Sequence, residues 1–150
     1  MNRLIFISLL AIFLTACGKQ VTEFAASNPK IATHVGVRNA TGDLQTSGKA
    51  GFLVFGPYIE ITPGTYRLVA KGKLSGEIKP LAVIDVIAHK GEKTFVSRPI
   101  YGDDPVVEGV IGAIIFEVPR AVSDAEFRIQ VQEQTVGAFN GYELTRIVTK

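Results

Sequence analysis

Tryptophan is absent from this 150-residue chain, cysteine occurs once and histidine only twice. A single cysteine excludes a disulfide framework and a cysteine-based zinc site. The histidines, His34 and His89, stand far apart with no second ligand at metal-binding spacing, so no resident metal is expected. Lack of tryptophan removes the largest aromatic surface for ligand stacking. Neither sign of charge dominates. Sixteen basic against 14 acidic residues give a formal charge of +2, which excludes a polybasic nucleic-acid binder and an acidic disordered tail. No G-x-S-x-G elbow, phosphate-cradling glycine loop, H-E-x-x-H helix or dinucleotide fingerprint is present. The chain therefore reads as a non-enzyme, with no catalytic residues, no cofactor and no nucleic-acid partner.

Long hydrophobic runs are missing too, with one short exception. Between Leu4 and Ala16, 11 of 13 residues are apolar, after a positive Met1-Asn2-Arg3 and before polar Gly18-Lys19-Gln20. A membrane-spanning helix needs about 20 such residues, and the apolar region of a secretory signal about 7–15. Residues 1–16 are thus expected to be a signal peptide.

Leu14-Thr15-Ala16-Cys17 resembles the lipobox of bacterial lipoproteins. The resemblance implies cleavage after Ala16, a diacylglyceryl thioether on Cys17 and acylation (palmitate or a similar chain) of the new amine. Each buried methylene contributes about 0.8 kcal/mol, so two or three chains anchor lastingly where one does not. The membrane is then the first partner, reached through Cys17, and the location is the bacterial cell envelope. Gly18, rather than Asp, follows the cysteine, so an outer membrane, where present, would receive the protein on its periplasmic leaflet.

Residues 17–30, the lipidated cysteine and a small polar stretch ending at Asn28-Pro29, read as a flexible tether. Residues 31–150 read as one domain. Period-2 patterning predicts strands at Ile31–Val37, Gly51–Phe55, Tyr58–Thr62, Thr65–Lys73, Leu81–His89, Thr94–Tyr101, Gly112–Val118, Glu126–Glu133 and Gly141–Val148. Thr65–Lys73 sends Tyr66, Leu68 and Ala70 to one face, and Glu126–Glu133 does the same with Phe127, Ile129 and Val131. Leu81–Ala88 is nearly apolar on both faces and reads as a central strand. Gly56-Pro57 and Pro63-Gly64 read as turns, Lys90-Gly91-Glu92-Lys93 as a hairpin loop, and Arg120–Ala125 as one helical turn. Eight or nine short strands after a signal peptide and tether make an all-β, antiparallel two-sheet sandwich, with a closed barrel as the second choice.

From Gly51-Phe52-Leu53-Val54-Phe55-Gly56-Pro57-Tyr58 through Pro63-Gly64-Thr65-Tyr66, Ile84-Asp85-Val86, Phe116-Glu117-Val118 and Glu126-Phe127-Arg128, the domain resembles small jelly-roll sandwiches of the galactose-binding-like, carbohydrate-binding-module-like class. The resemblance covers most of residues 31–148, and its motifs are structural. It implies a non-enzymatic module that recognises a glycan or envelope polysaccharide. The alternative is a structural or assembly lipoprotein that holds another envelope protein through its sandwich.

Candidate ligand contacts are Tyr58, Asp85, Arg98 and Tyr101: two aromatics at strand ends, Arg98 as their polar partner, and one charged group inside an apolar strand. Asp85 is the sharpest, because a charge in an apolar strand is costly unless partnered. It is either bonded to an arginine or backbone group of a neighbouring strand or presented to a ligand. Tyr66 is either a core tyrosine or a sugar platform. Asp103-Asp104 is a solvated turn or a structural calcium site.

Overall fold

A computed structural model describes residues 20–102 and 107–148. Among these lie ten strands: β1 Val21–Ala25, β2 Gly36–Arg38, β3 Leu44–Thr46, β4 Gly51–Ile61, β5 Gly64–Ser75, β6 Ala82–Ala88, β7 Lys93–Ile100, β8 Val110–Val118, β9 Val122–Val131 and β10 Val136–Ile147. One sheet has the order β2-β3-β10-β5-β8, with β1 also pairing β10, and the other the order β4-β9-β6-β7. Every pairing is antiparallel. The result is the expected all-β, two-sheet sandwich of jelly-roll type.

Alternating side chains explain why the sheets face each other. Phe127, Ile129 and Val131 on β9, Ile84 and Val86 on β6, and Leu68 and Ala70 on β5 are all buried in the core. Tyr66 is a core tyrosine: its hydroxyl donates to the Thr62 carbonyl at 2.9 Å and its ring stacks on Phe116. Strand β6 is interior to its sheet, as its two apolar faces require. The predicted hairpin loop after it is a 3-10 turn, His89–Gly91. Gly109 to Gly112 hold a bulge, since Ala70 pairs with Gly112 and Lys71 with Val110, leaving Ile111 without a partner.

Four expectations are corrected. The tether assigned to residues 17–30 contributes β1, which pairs with β10 from Val21↔Thr145 to Ala25↔Gly141. Phe24 drives this, because its ring packs edge-on to Phe127 at 6.0 Å and is buried. The two strands expected either side of Gly56-Pro57 are one strand, β4. The turn signal is absorbed as register shifts against β9 between Pro57 and Ile59. Gly56 is required there: at φ 113, an added Cβ would stand 2.1 Å from the Lys30 carbonyl oxygen. The helical turn expected at Arg120–Ala125 is largely the start of β9. Lastly, the strand expected at Ile31–Val37 splits into an isolated bridge, Ala32↔Phe55, and the short β2. Cys17, the signal segment and Asp103-Asp104 lie outside the described residues.

One buried group tests the packing directly. The Tyr142 hydroxyl has no hydrogen-bond partner among the described residues, and burial pushes its pKa well above the ordinary phenol value. An unsatisfied buried hydroxyl costs about 1–3 kcal/mol. Tyr142→Phe is therefore expected to stabilise the fold by about 1 kcal/mol, read as a higher midpoint in urea unfolding.

Candidate functional site

The outer face of the four-stranded sheet is built by register. Phe55 pairs with Arg128, Arg128 with Asp85 and Asp85 with Ser97, giving one row across all four strands. Flanking rows contain Phe52–Gln130–Val83–Pro99 and Pro57–Glu126–Ile87. At about 4.8 Å between strands, the face is about 14 Å wide.

Its centre is an ion pair. Arg128 Nε donates to Asp85 Oδ1 at 2.8 Å and Nη2 to Oδ2 at 2.7 Å, a fork-to-fork geometry. The two side chains are 25% and 16% exposed, and this bonding keeps the guanidinium protonated further above its ordinary range. Asp85 is thus the partnered carboxylate, satisfied by a neighbouring strand's arginine. The guanidinium carbon also lies 5.0 Å from the Phe52 ring centroid, a cation–π contact that fixes the plane of both groups.

Beside the pair stands an aromatic cluster. His34 packs on Phe55 at 4.5 Å and on Phe52 at 6.0 Å between ring centroids, and Phe52 meets Phe55 at 6.5 Å. His34 reaches them because its segment runs beside β4, with its N–H donating to the Phe52 carbonyl and Ala32 pairing with Phe55. The two phenylalanines are half-buried, which holds their rings rigid, and His34 is exposed.

A second carboxylate completes the face. Glu126 lies beside Arg128 and the Tyr58 hydroxyl, and burial outweighs the guanidinium, raising its pKa above the usual carboxylate range. Tyr58 is 47% exposed and adopts φ 57 where β4 bulges. Burial, then the Glu126 charge, push its phenol up.

Of the four anticipated contacts, Tyr58 and Asp85 belong to this face. Arg98 and Tyr101 do not join them. Arg98 lies on β7, the opposite edge strand from β4, where it pairs with core-facing Ile84 of β6, and its Nη1 donates across the flank to the Ala113 carbonyl of β8. Tyr101 follows the end of β7, and its carbonyl accepts a hydrogen bond from Lys79 Nζ. Sequence reasoning missed His34, Phe52, Phe55, Glu126 and Arg128 as members of the site. Among the described residues, no group of three or more His, Cys, Asp or Glu is arranged to hold a metal ion.

A groove of about 350 Å³ lies elsewhere, between β1 and β4, floored by Phe24, Ile59, Ile61 and Leu144 with Glu60 and Arg146 on its rim. Arg146 is tied there to the Pro63 carbonyl at 2.7 Å. The outer face, with its convergent rings and charges, is the better-built site.

No protein-family model matches the chain, and no curated protein matches it. Among solved structures, the fold is similar to the C-terminal CBM6 module of LamC, a marine laminarinase from Zobellia galactanivorans. The TM-score is 0.56 at 9% identity, covering 85% of this chain and all of that one. The capsid protein VP2 of infectious bursal disease virus aligns at TM-score 0.41 and 13% identity, covering 85% of this chain and 33% of VP2, a likeness too distant to bear on function. The described residues therefore form a jelly-roll β-sandwich of the kind found in a carbohydrate-binding module.

Proposed function

We propose that this protein is a non-enzymatic glycan-binding module, anchored in the bacterial cell envelope by lipid on Cys17. The observation that carries the binding half is the rigid His34–Phe55–Phe52 cluster beside the Asp85–Arg128 pair on one open sheet face. Aromatic rings stack on the C–H faces of sugar rings, and fixed polar groups at their margin take the hydroxyls. Resemblance of the fold to a carbohydrate-binding module supports the same reading. Support for the anchoring half is the Leu14-Thr15-Ala16-Cys17 motif behind its apolar run. Where there is an outer membrane, the periplasmic leaflet is the proposed destination.

Two experiments test these halves separately. Phe55→Ala is expected to weaken binding of an envelope-derived oligosaccharide about tenfold, since an aromatic contact carries about 0.5–1.5 kcal/mol beyond its area. Isothermal calorimetry measures this, and unchanged affinity would remove the cluster from the site. Cys17→Ser is expected to move the protein from the membrane fraction to the soluble one and abolish labelling with radioactive palmitate.

A second reading, an assembly lipoprotein binding another envelope protein, has its own supporting observation. Val21 and Ile115, 45% and 60% exposed, share a row with Thr145 and Arg67 across the outer face of the larger sheet. Chemical crosslinking that captures one stoichiometric protein partner through that face would favour it.

A further inference from the structure

The charges on the outer face, taken with the glycan-binding reading above, define which glycans it accepts. Arg128 is the one cation in the cross-sheet row of Phe55, Arg128, Asp85 and Ser97. Its Nε and Nη2 are both committed to Asp85, in the two-pronged geometry that would otherwise grip a ligand carboxylate. The pair is locked by register, by cation–π contact with Phe52 and by partial burial. An incoming carboxylate or sulfate would have to displace Asp85 from it.

Two further carboxylates border the row from the same strand as Arg128. Glu126 and Asp124 alternate with core-facing Ala125 and Phe127, so they stand on the outer side of β9. Asp124 contacts His89 Nδ1 at 3.5 Å. Glu126 is hydrogen-bonded to the Tyr58 hydroxyl, and the cation that acts on it is Arg128, whose fork is engaged by Asp85. The local balance is acidic, although the chain as a whole carries +2.

We infer that the outer face selects glycans bearing free amino groups, whose ammonium would sit at Glu126, next along β9 to the Arg128 that lies opposite Phe55, and rejects uronic-acid polymers. An ammonium would give Glu126 a cation of its own beside the Tyr58 hydroxyl it already holds, while the rings bind the neutral part of the sugar. A uronate would meet Asp85, Glu126 and Asp124 with no uncommitted cation on the row. Global charge alone predicts the reverse preference, because a cationic protein attracts polyanions. The local and global accounts are therefore separable.

Calorimetry with three probes of matched length decides between them: a glucosamine hexamer, the neutral hexasaccharide cellohexaose and a galacturonate hexamer. The full chain is used, at a pH where the amines and carboxylates are charged. The glucosamine hexamer is expected to bind about three- to fivefold tighter than cellohexaose, the size of an exposed charge pair. That advantage should shrink as salt rises, and the galacturonate hexamer should not bind. Glu126→Gln, which keeps shape and hydrogen bonding, is expected to bring the two binding sugars to equal affinity with an unchanged melting curve. Galacturonate binding as tightly as cellohexaose, or a preference for glucosamine that survives in Glu126→Gln, would overturn the inference and leave the glycan reading standing. Failure of all three hexamers to bind at millimolar concentration would overturn both.

Discussion

Phe127→Ala should cost about 3–5 kcal/mol of stability, the usual range for removing a fully buried phenylalanine. Phe127 is entirely buried and meets Phe24 at 6.0 Å and Tyr142 at 5.4 Å, each edge-on. It thereby ties three strands together: β9 at the centre of one sheet, and β1 and β10 in the other. Around it the sandwich is closed by large side chains from both sheets, so a cavity there cannot collapse without moving strands. A melting temperature lower by about 10 °C is expected, using about 2–4 °C per kcal/mol for a chain of this size. The variant should also release β1, because Phe24 loses the ring it rests on. Faster amide hydrogen exchange from Val21 to Ala25 than in β5 would register this release. A loss below about 1 kcal/mol would mean that β1 and β9 do not pack as described.

Arg128→Ala is the second large effect, and it separates stability from recognition. Breaking a buried ion pair from one side costs about 3–5 kcal/mol, because the remaining charge is stranded. Here both partners keep some water contact, so about 2–3 kcal/mol is expected. Asp85→Ala should cost less, since the longer arginine can turn its head to solvent while its stem stays packed on Phe52. Replacing both together, Asp85→Leu with Arg128→Met, should recover most of the stability, because apolar pairs of similar volume commonly match buried ion pairs. Chemical denaturation of the parent and the three variants gives these differences directly. Glycan affinity should not recover in the double variant if the pair fixes ligand hydroxyls, whereas full recovery would make the pair purely structural.

The sequence carries the architecture well and the site poorly, and the reasons are physical. Strands with strict alternation, such as Thr65–Lys73 and Glu126–Glu133, declare both their existence and their inward face. Leu81–Ala88 declares its interior position because both faces are apolar but for Asp85. Short edge elements say less: Leu44–Thr46 is three residues long, and Val21–Ala25 is largely exposed except for Phe24, so neither rises above the polar stretch around it.

The site depends on two things that local pattern does not contain. One is long-range register: Asp85 and Arg128 are 43 positions apart and meet only because β6 lies against β9 with those residues opposite. Asp85 itself was legible, as a charge needing a partner in an apolar strand, but the identity of that partner was not. The other is strand irregularity. Phe52 and Phe55 are three positions apart, which places them on opposite faces of a regular strand. The register shift between Phe52 and Val54 adds a residue and returns both rings to the outer face, opposite Gln130 and Arg128. Period-2 reading therefore could not assemble the aromatic cluster. It gathered Tyr58, Arg98 and Tyr101 instead, from opposite edges of the sheet.

The most direct test of the glycan-binding account is a backbone amide NMR titration of the folded chain with the glucosamine hexamer and cellohexaose. Saturable shift changes concentrated at His34, Phe52, Phe55, Glu126 and Arg128, with β5 and β8 of the other sheet unmoved, are the predicted result. Changes centred on the larger sheet or on the groove between β1 and β4, or none at millimolar sugar, would contradict it.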